Sequence, residues 1–267
     1  MPAPACYNDL RDMSDSVSLT ARLPVEAFAE QFQGEMIPLN NTYSYFAALP
    51  LDDTQVQQFV QEPIAALPAS LGEILPPLRV VLVPYLERAN SRGGDLVAFD
   101  KPAENRQVAA ASLEMRSRLY FFLAVKDEDV ADFHYTFYSG LAALASYRLR
   151  EGQRERFSRL LREELAAEVH GEVEEKSWRL KQQLRRRQRN TLRDTKLQRE
   201  YFRQAFEDTA TLYLHGLCCD IDVETGPRQL PTRFLRKRLE LLRELFPPPS
   251  GFALFPEELG AAAPTER

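Results

Sequence analysis

The order in which helical and extended patterns follow one another constrains this chain most. Asp52 or Asp53 can cap a helix whose apolar positions Val56, Phe59, Val60 and Ile64 repeat at helical spacing, with Pro63 limiting or bending its last turn. The runs Leu78–Leu86 and Arg118–Val125 read as buried strands, because short Val-, Leu- and Phe-rich segments suit a sheet. Asp95–Asp100 is a further strand candidate, and Gln107–Met115 fits strand or helix. Ser91 to Gly94 turns the chain between them. After the acidic Lys126-Asp-Glu-Asp129, which suits the positive end of a helix dipole, one long helix runs through Tyr147, with Gly152 marking its exit. Everything beyond reads helical: 154–170, 174–189, 192–219 and 232–246, the last stopped by Pro247-Pro-Pro249.

This order predicts an α+β chain in a single integrated domain. Residues 1–51, with prolines at 2, 4, 24, 38 and 50, form a draped N-terminal arm. Residues 52–150 supply a backing helix, a small mixed sheet of three or four strands and the long central helix. Residues 151–246 form a helical half packed on the sheet, and 247–267 a tail, frayed from Glu257.

At 267 residues, 44% hydrophobic and 27% charged, the chain has globular proportions, which excludes collagen-like, wholly disordered and disulfide-scaffold classes. A net charge of -5 gives no general reason to expect nucleic acid or an acidic membrane as partner. Cys6, Cys218 and Cys219 are an odd number, and neighbouring side chains on a helix diverge by about 100°, so a reducing compartment is expected. Met1–Ala21 has no apolar core of signal-peptide length, and no apolar run approaches the ~18 residues of a membrane span. The expected location is cytoplasmic, without a membrane partner.

The charged residues are unevenly placed. Residues 1–150 carry 12 basic and 19 acidic side chains, and 151–267 carry 22 and 20. The basic excess lies between Trp178 and Gln204, and such a run, edged by Trp178, Tyr201 and Phe202, could meet phosphate. A solvated face paired with the acidic stretch Glu163 to Glu175 accounts for it as well, without a nucleic-acid-binding motif. Glu175 and Arg179 have the spacing of a helix-surface ion pair.

Three histidines carry the metal-binding options, each near a carboxylate: His134 by Asp132, His170 by Glu172 and Glu174, and His215 by Asp208. On one helix Gln204, Asp208, Thr211 and His215 form a polar stripe, opposite Phe202, Phe206, Tyr213 and Leu217. The stripe either lines a cavity or is solvated and hydrogen-bonded. His215-Gly-Leu-Cys-Cys-Asp220 adds soft and hard donors but lacks the Cys-x-x-Cys spacing of a structural zinc site, and its cysteines read equally as small hydrophobes at a helix end. Ser139 before Gly140 lies in helical texture without the turn of a nucleophile elbow, and no glycine-rich phosphate loop is present.

The element order, together with Thr136-Phe-Tyr-Ser-Gly-Leu-Ala-Ala-Leu-Ala145 and Gln204-Ala-Phe-Glu-Asp-Thr-Ala-Thr-Leu-Tyr-Leu214, resembles the zincin metallopeptidase core, in its gluzincin branch, over roughly residues 52–219. The resemblance implies a backing helix and sheet leading to a helix with His-Glu-x-x-His, and a later helix with a glutamate ligand. In this register the ligand positions hold Ser139 and Ala143, the general-base position holds Gly140, and Glu207 or Asp208 stands for the third ligand. A second register, His134-Tyr-Thr-Phe-Tyr138, keeps one histidine and offers a phenol.

The expected function is therefore non-catalytic: a degenerate, zincin-like pseudoenzyme without cofactor, acting through contacts with another protein, with self-association left open. Its groove would lie between the helices 130–149 and 192–219, lined by His134, Tyr138, His170, Gln204, Thr211 and His215. One alternative is a metal-dependent hydrolase in which His134, His170 and His215 converge on zinc with Glu174 or Asp208. The other is a basic-surface nucleic-acid-binding protein.

Overall fold

The computed structural model describes residues 22–89, 94–187, 195–219 and 228–255. Cys6, the Ser91–Gly93 part of the expected turn, Arg189 and Arg193 of the basic run, Asp220 and the tail from Glu257 lie outside the described residues.

The chain opens with β1 (Leu23–Pro24), α1 (Val25–Phe32), β2 (Ile37–Pro38) and β3 (Tyr43–Ala47). A bent helix follows, made of α2 (Asp53–Val56), a π-helical turn (Gln57–Gln61) and α3 (Glu62–Ala65). Asp52 caps it, accepting from the Gln55 N–H while the Gln55 side chain accepts from the Asp52 N–H. Then come β4 (Leu78–Val83), β5 (Tyr85–Arg88), β6 (Asp95–Ala98), β7 (Gln107–Val108), β8 (Ala110–Met115) and β9 (Arg118–Ala124). The rest is helical: α4 (Val130–Ser146), α5 (Glu151–Ala166), α6 (Glu175–Arg187), α7 (Lys196–Cys218) and α8 (Thr232–Leu245).

The molecule is mixed α and β with two sheets, where the sequence pattern predicts one. A five-stranded sheet has the order β2-β3-β4-β9-β8, with β3, β4 and β9 parallel and both edges antiparallel. A four-stranded antiparallel sheet has the order β1-β6-β5-β7. The single expected strand Leu78–Leu86 is divided between them. Pro84 has no N–H to continue a ladder, so β4 ends before it in one sheet and β5 begins after it in the other. Residues 22–51 are not a draped arm either. α1 buries Val25, Phe28 and Ala29 on one face of the larger sheet, and β1 and β3 pair into the two sheets.

The apolar runs are continuous because the larger sheet is covered on both faces. Val80, Leu82, Leu119, Phe121 and Leu123 face the helical half, while Val81, Val83, Tyr120, Phe122 and Ala124 face α1. On the helical side α4 lies against β9 and β8, and α7 packs along α4. Gly140 permits the first contact, since a Cβ there would come within 2.2 Å of Phe121 Cζ. Gly152 does not mark the exit of α4, which ends at Ser146; it lies in the first turn of α5.

Glu164 and Glu172 are not on a solvated acidic face. Arg238 of α8 donates to both carboxylates, Lys181 and Tyr201 also donate to Glu172, and all these side chains are buried. Lys181, expected in the basic solvated run, is 1% exposed because Glu172 and the Gly171 carbonyl take its ammonium protons. Gly171 has φ +82 and abuts residues 229–230, where a Cβ would lie 2.0 Å from the Gln229 carbonyl oxygen. The pair Glu175–Arg179 forms as its spacing predicts.

Candidate metal centre

One proline and one π-helical turn set up the seam between α4 and α7. The Glu62 N–H bonds to Gln57 O in the π-helical register, and residue 63 has no N–H, so the Gln58 carbonyl is left for another donor. It accepts from His134 Nε2 at 2.7 Å. The Leu67 N–H closes a tighter turn onto Ile64 O, and Pro63 O accepts from the Tyr138 hydroxyl at 3.1 Å. His134 and Tyr138 are one turn apart on α4, so two carbonyls from the bent helix hold both rings.

With Nε2 donating to Gln58, the Nδ1 of His134 carries its lone pair outward, 3.1 Å from Cys219 Sγ. His215 stacks on Tyr138 with ring centroids 5.7 Å apart and meets His134 edge-on at 6.5 Å. Ligand atoms of His134, His215 and Cys219 all lie within 4.8 Å of one another. Donors around a tetrahedral zinc ion stand roughly 3.5 Å apart, given bonds of about 2.0–2.3 Å, so modest side-chain rotation would close the set. Burial, followed by the neighbouring His134, pushes the His215 imidazole below its ordinary value, which favours the neutral, ligating form. His134 is buried, whereas His215 and Cys219 are half-buried, so the cluster has one side toward solvent.

Three residues of the polar stripe of α7, all but Gln204, line a cavity of about 290 Å³ with Tyr135, Val173, Glu174 and Leu212. Asp208, Thr211 and His215 face it. Asp208 is 8% exposed, and its Oδ1 accepts from the Gln204 amide at 2.7 Å. Burial, aided by Glu174 and Glu172, pushes its carboxyl up to about 6.

Several expected site residues are elsewhere. His170 does not converge with the other two; it is exposed and edge-on to Trp178 at 4.8 Å, carried away by the turn at Gly171. Glu174 and Asp208 border the cavity rather than the three-residue cluster. Gly140 cannot have held a glutamate in this packing because Phe121 occupies the space. Ser139 donates to the Thr136 carbonyl of its own helix, and the Ala143 carbonyl accepts from Ser146. Glu207 is taken by Ser146 and Arg203.

The Gln58 carbonyl escapes the sequence reading, which weighs Cys219 as a soft donor or a small hydrophobe at a helix end but does not join it to His134. The signal for the cysteine is present: His215 and Cys219 are separated by four residues, which puts both on one face of a helix. No family model, curated protein or solved structure matches the chain.

Proposed function

We propose that this protein binds a divalent transition metal of the zinc class through His134, His215 and Cys219, on a zincin-like scaffold that does not hydrolyse peptides. The observation that carries this reading is the convergence of the three donors with His134 already fixed by Gln58. A metal-binding histidine typically donates its second nitrogen to a carbonyl or carboxylate, and this one does. Mixed imidazole and thiolate donors favour zinc over calcium or magnesium.

The second zincin register fits this arrangement better than the first. His134 stands at the first ligand position, Tyr138 at the second and Tyr135 where the general base would be, with the partner ligands coming from α7 and the residue that caps its C-terminus. A phenol in place of that glutamate supports a binding role, as does the distance of Asp208, which precedes His215 by seven residues or about 10 Å of helix rise. The function is then one of recognition, with a protein partner approaching the open side, where Tyr135 is 46% exposed.

Metal analysis of protein purified without chelator tests the reading. Near-stoichiometric zinc is expected, lost in His215→Ala and in Cys219→Ser. Cobalt substitution should give a near-ultraviolet thiolate-to-metal band that Cys219→Ser removes. Folded protein that takes up neither metal overturns the proposal, and turnover of a casein substrate by the zinc-loaded form overturns its non-hydrolytic part.

A further inference from the structure

The cavity beside the metal centre has an acceptor problem of its own. The Gln204 amide donates to Asp208 Oδ1, which uses the amide's donor end and leaves Gln204 Oε1 facing away. Asp208 Oδ2 is buried on a side chain 8% exposed and takes no hydrogen bond among the described residues, because the Ser177 hydroxyl that faces this carboxylate gives its proton to the Glu174 carbonyl; Gln204 Oε1, on a side chain 6% exposed outside the cavity lining, takes none either. Buried oxygen acceptors left in this state are costly unless a ligand supplies the donor.

The lining specifies which donor. Thr211 gives its proton to the Glu207 carbonyl, so its hydroxyl offers lone pairs to the cavity. No lysine or arginine is among the described lining residues. Glu172, behind Asp208, is matched by Arg238 and Lys181 and adds little net charge. Val173, Leu212 and the Tyr135 ring supply an apolar wall. A volume of about 290 Å³ is at the small end for ligand sites.

We propose that this cavity binds the primary ammonium group of a small aliphatic amine, with Asp208 Oδ2 accepting one of its protons and the carbon stem lying against Val173, Leu212 and Tyr135. An ammonium has three donors and no acceptor, which complements a pocket of oxygens. The inference goes beyond the metal reading and does not require it, because Asp208 lies outside the His134, His215 and Cys219 cluster, seven residues before His215 on α7, although both border the cavity.

The test is titration of n-butylammonium chloride, with 1-butanol as the neutral control, into the full chain at pH 7.5, followed by amide chemical shifts of Thr211 and Leu212. Chelator-treated and zinc-loaded protein are both titrated. Wild type should prefer butylammonium to butanol by about tenfold or more, the range of one charged hydrogen bond. Asp208→Asn should lose that preference without a fall in Tm, since it removes an unsatisfied buried charge. Leu212→Trp, which fills the cavity and leaves the charge in place, should lose both ligands. Equal binding of the two probes, no saturable binding of butylammonium, or an unchanged preference in Asp208→Asn overturns the inference. Zinc content is measured on the same samples, so a failed metal centre and a failed amine site are separate results.

Discussion

At the scale of single residues, the seam is decided by groups whose ordinary partners are missing. His134 has one nitrogen held by Gln58 and the other directed at Cys219, which selects its tautomer before any metal arrives. Gly140 is a packing residue, set where α4 crosses Phe121, and the contact makes a clear prediction. Gly140→Ala should destabilise the protein, because forcing Phe121 to move costs about 1–3 kcal/mol and helix propensity returns at most ~1 kcal/mol. Urea unfolding followed by circular dichroism checks this, and a stability equal to or above that of wild type would refute it.

At the scale of elements, the bent helix at 53–65 does more than cover the sheet. Its π-helical turn with Pro63 releases the Gln58 carbonyl, the tighter turn at Ile64–Leu67 releases the Pro63 carbonyl, and α4 answers with a histidine and a tyrosine one turn apart. Pro63→Ala restores an N–H that, in the π-helical register, competes with His134 for the Gln58 carbonyl. The expected outcome is a mixed His134 tautomer, seen in imidazole nitrogen NMR, and zinc affinity lower by about tenfold, the lower range for loss of an outer-shell partner. A single Nε2–H tautomer retained in the variant would show that the proline is not what positions the histidine. The strand division at Pro84 is the same physics in a sheet, where a missing N–H ends one ladder and lets the chain enter another.

At the scale of the whole molecule, a buried ionic network joins the helical half. Glu164, Glu172, Lys181, Tyr201 and Arg238 come from α5, the following loop, α6, α7 and α8, and each charge is matched by hydrogen bonds. Such a network is costly to break and specifies how the helices dock. Burial opposes ionisation of Glu172, but Arg238 and Lys181 outweigh it and hold its carboxyl down to about 2. Its contribution is therefore full above its unfolded value of 4.5 and lost as pH falls from there toward 2. Asp208 has the opposite sign. Held up to about 6 against an unfolded value of 3.8, it destabilises the fold above pH 6, and that cost is relieved as pH falls toward 4. Each limb is on the order of 3 kcal/mol. Stability in denaturant should therefore rise on acidification from about pH 6 to about 5, offset in part by the depressed His215, and fall below about 4. Asp208→Asn should flatten the upper limb and leave the lower one in place. An upper limb unchanged in that variant would contradict the assignment.

Much of the architecture was legible because it rests on local physics. Helical periodicity located α4, α7 and α8, a cap at Asp52 or Asp53 was expected and Asp52 supplies it, and the doubly covered strands read as unbroken apolar runs. The histidines and the polar stripe of α7 were visible for the same reason, since side chains four residues apart on a helix share a face.

Tertiary packing decided the rest. Spacing along the chain gave no means of telling that His134 and His215, 81 residues apart, would meet while His170 turned away to Trp178. Nor did it show that Glu172 and Lys181 would be buried as partners rather than solvated in separate runs. Sequence specifies which groups a helix face offers; which faces meet depends on how the whole core excludes water, and that is a property of the folded chain alone.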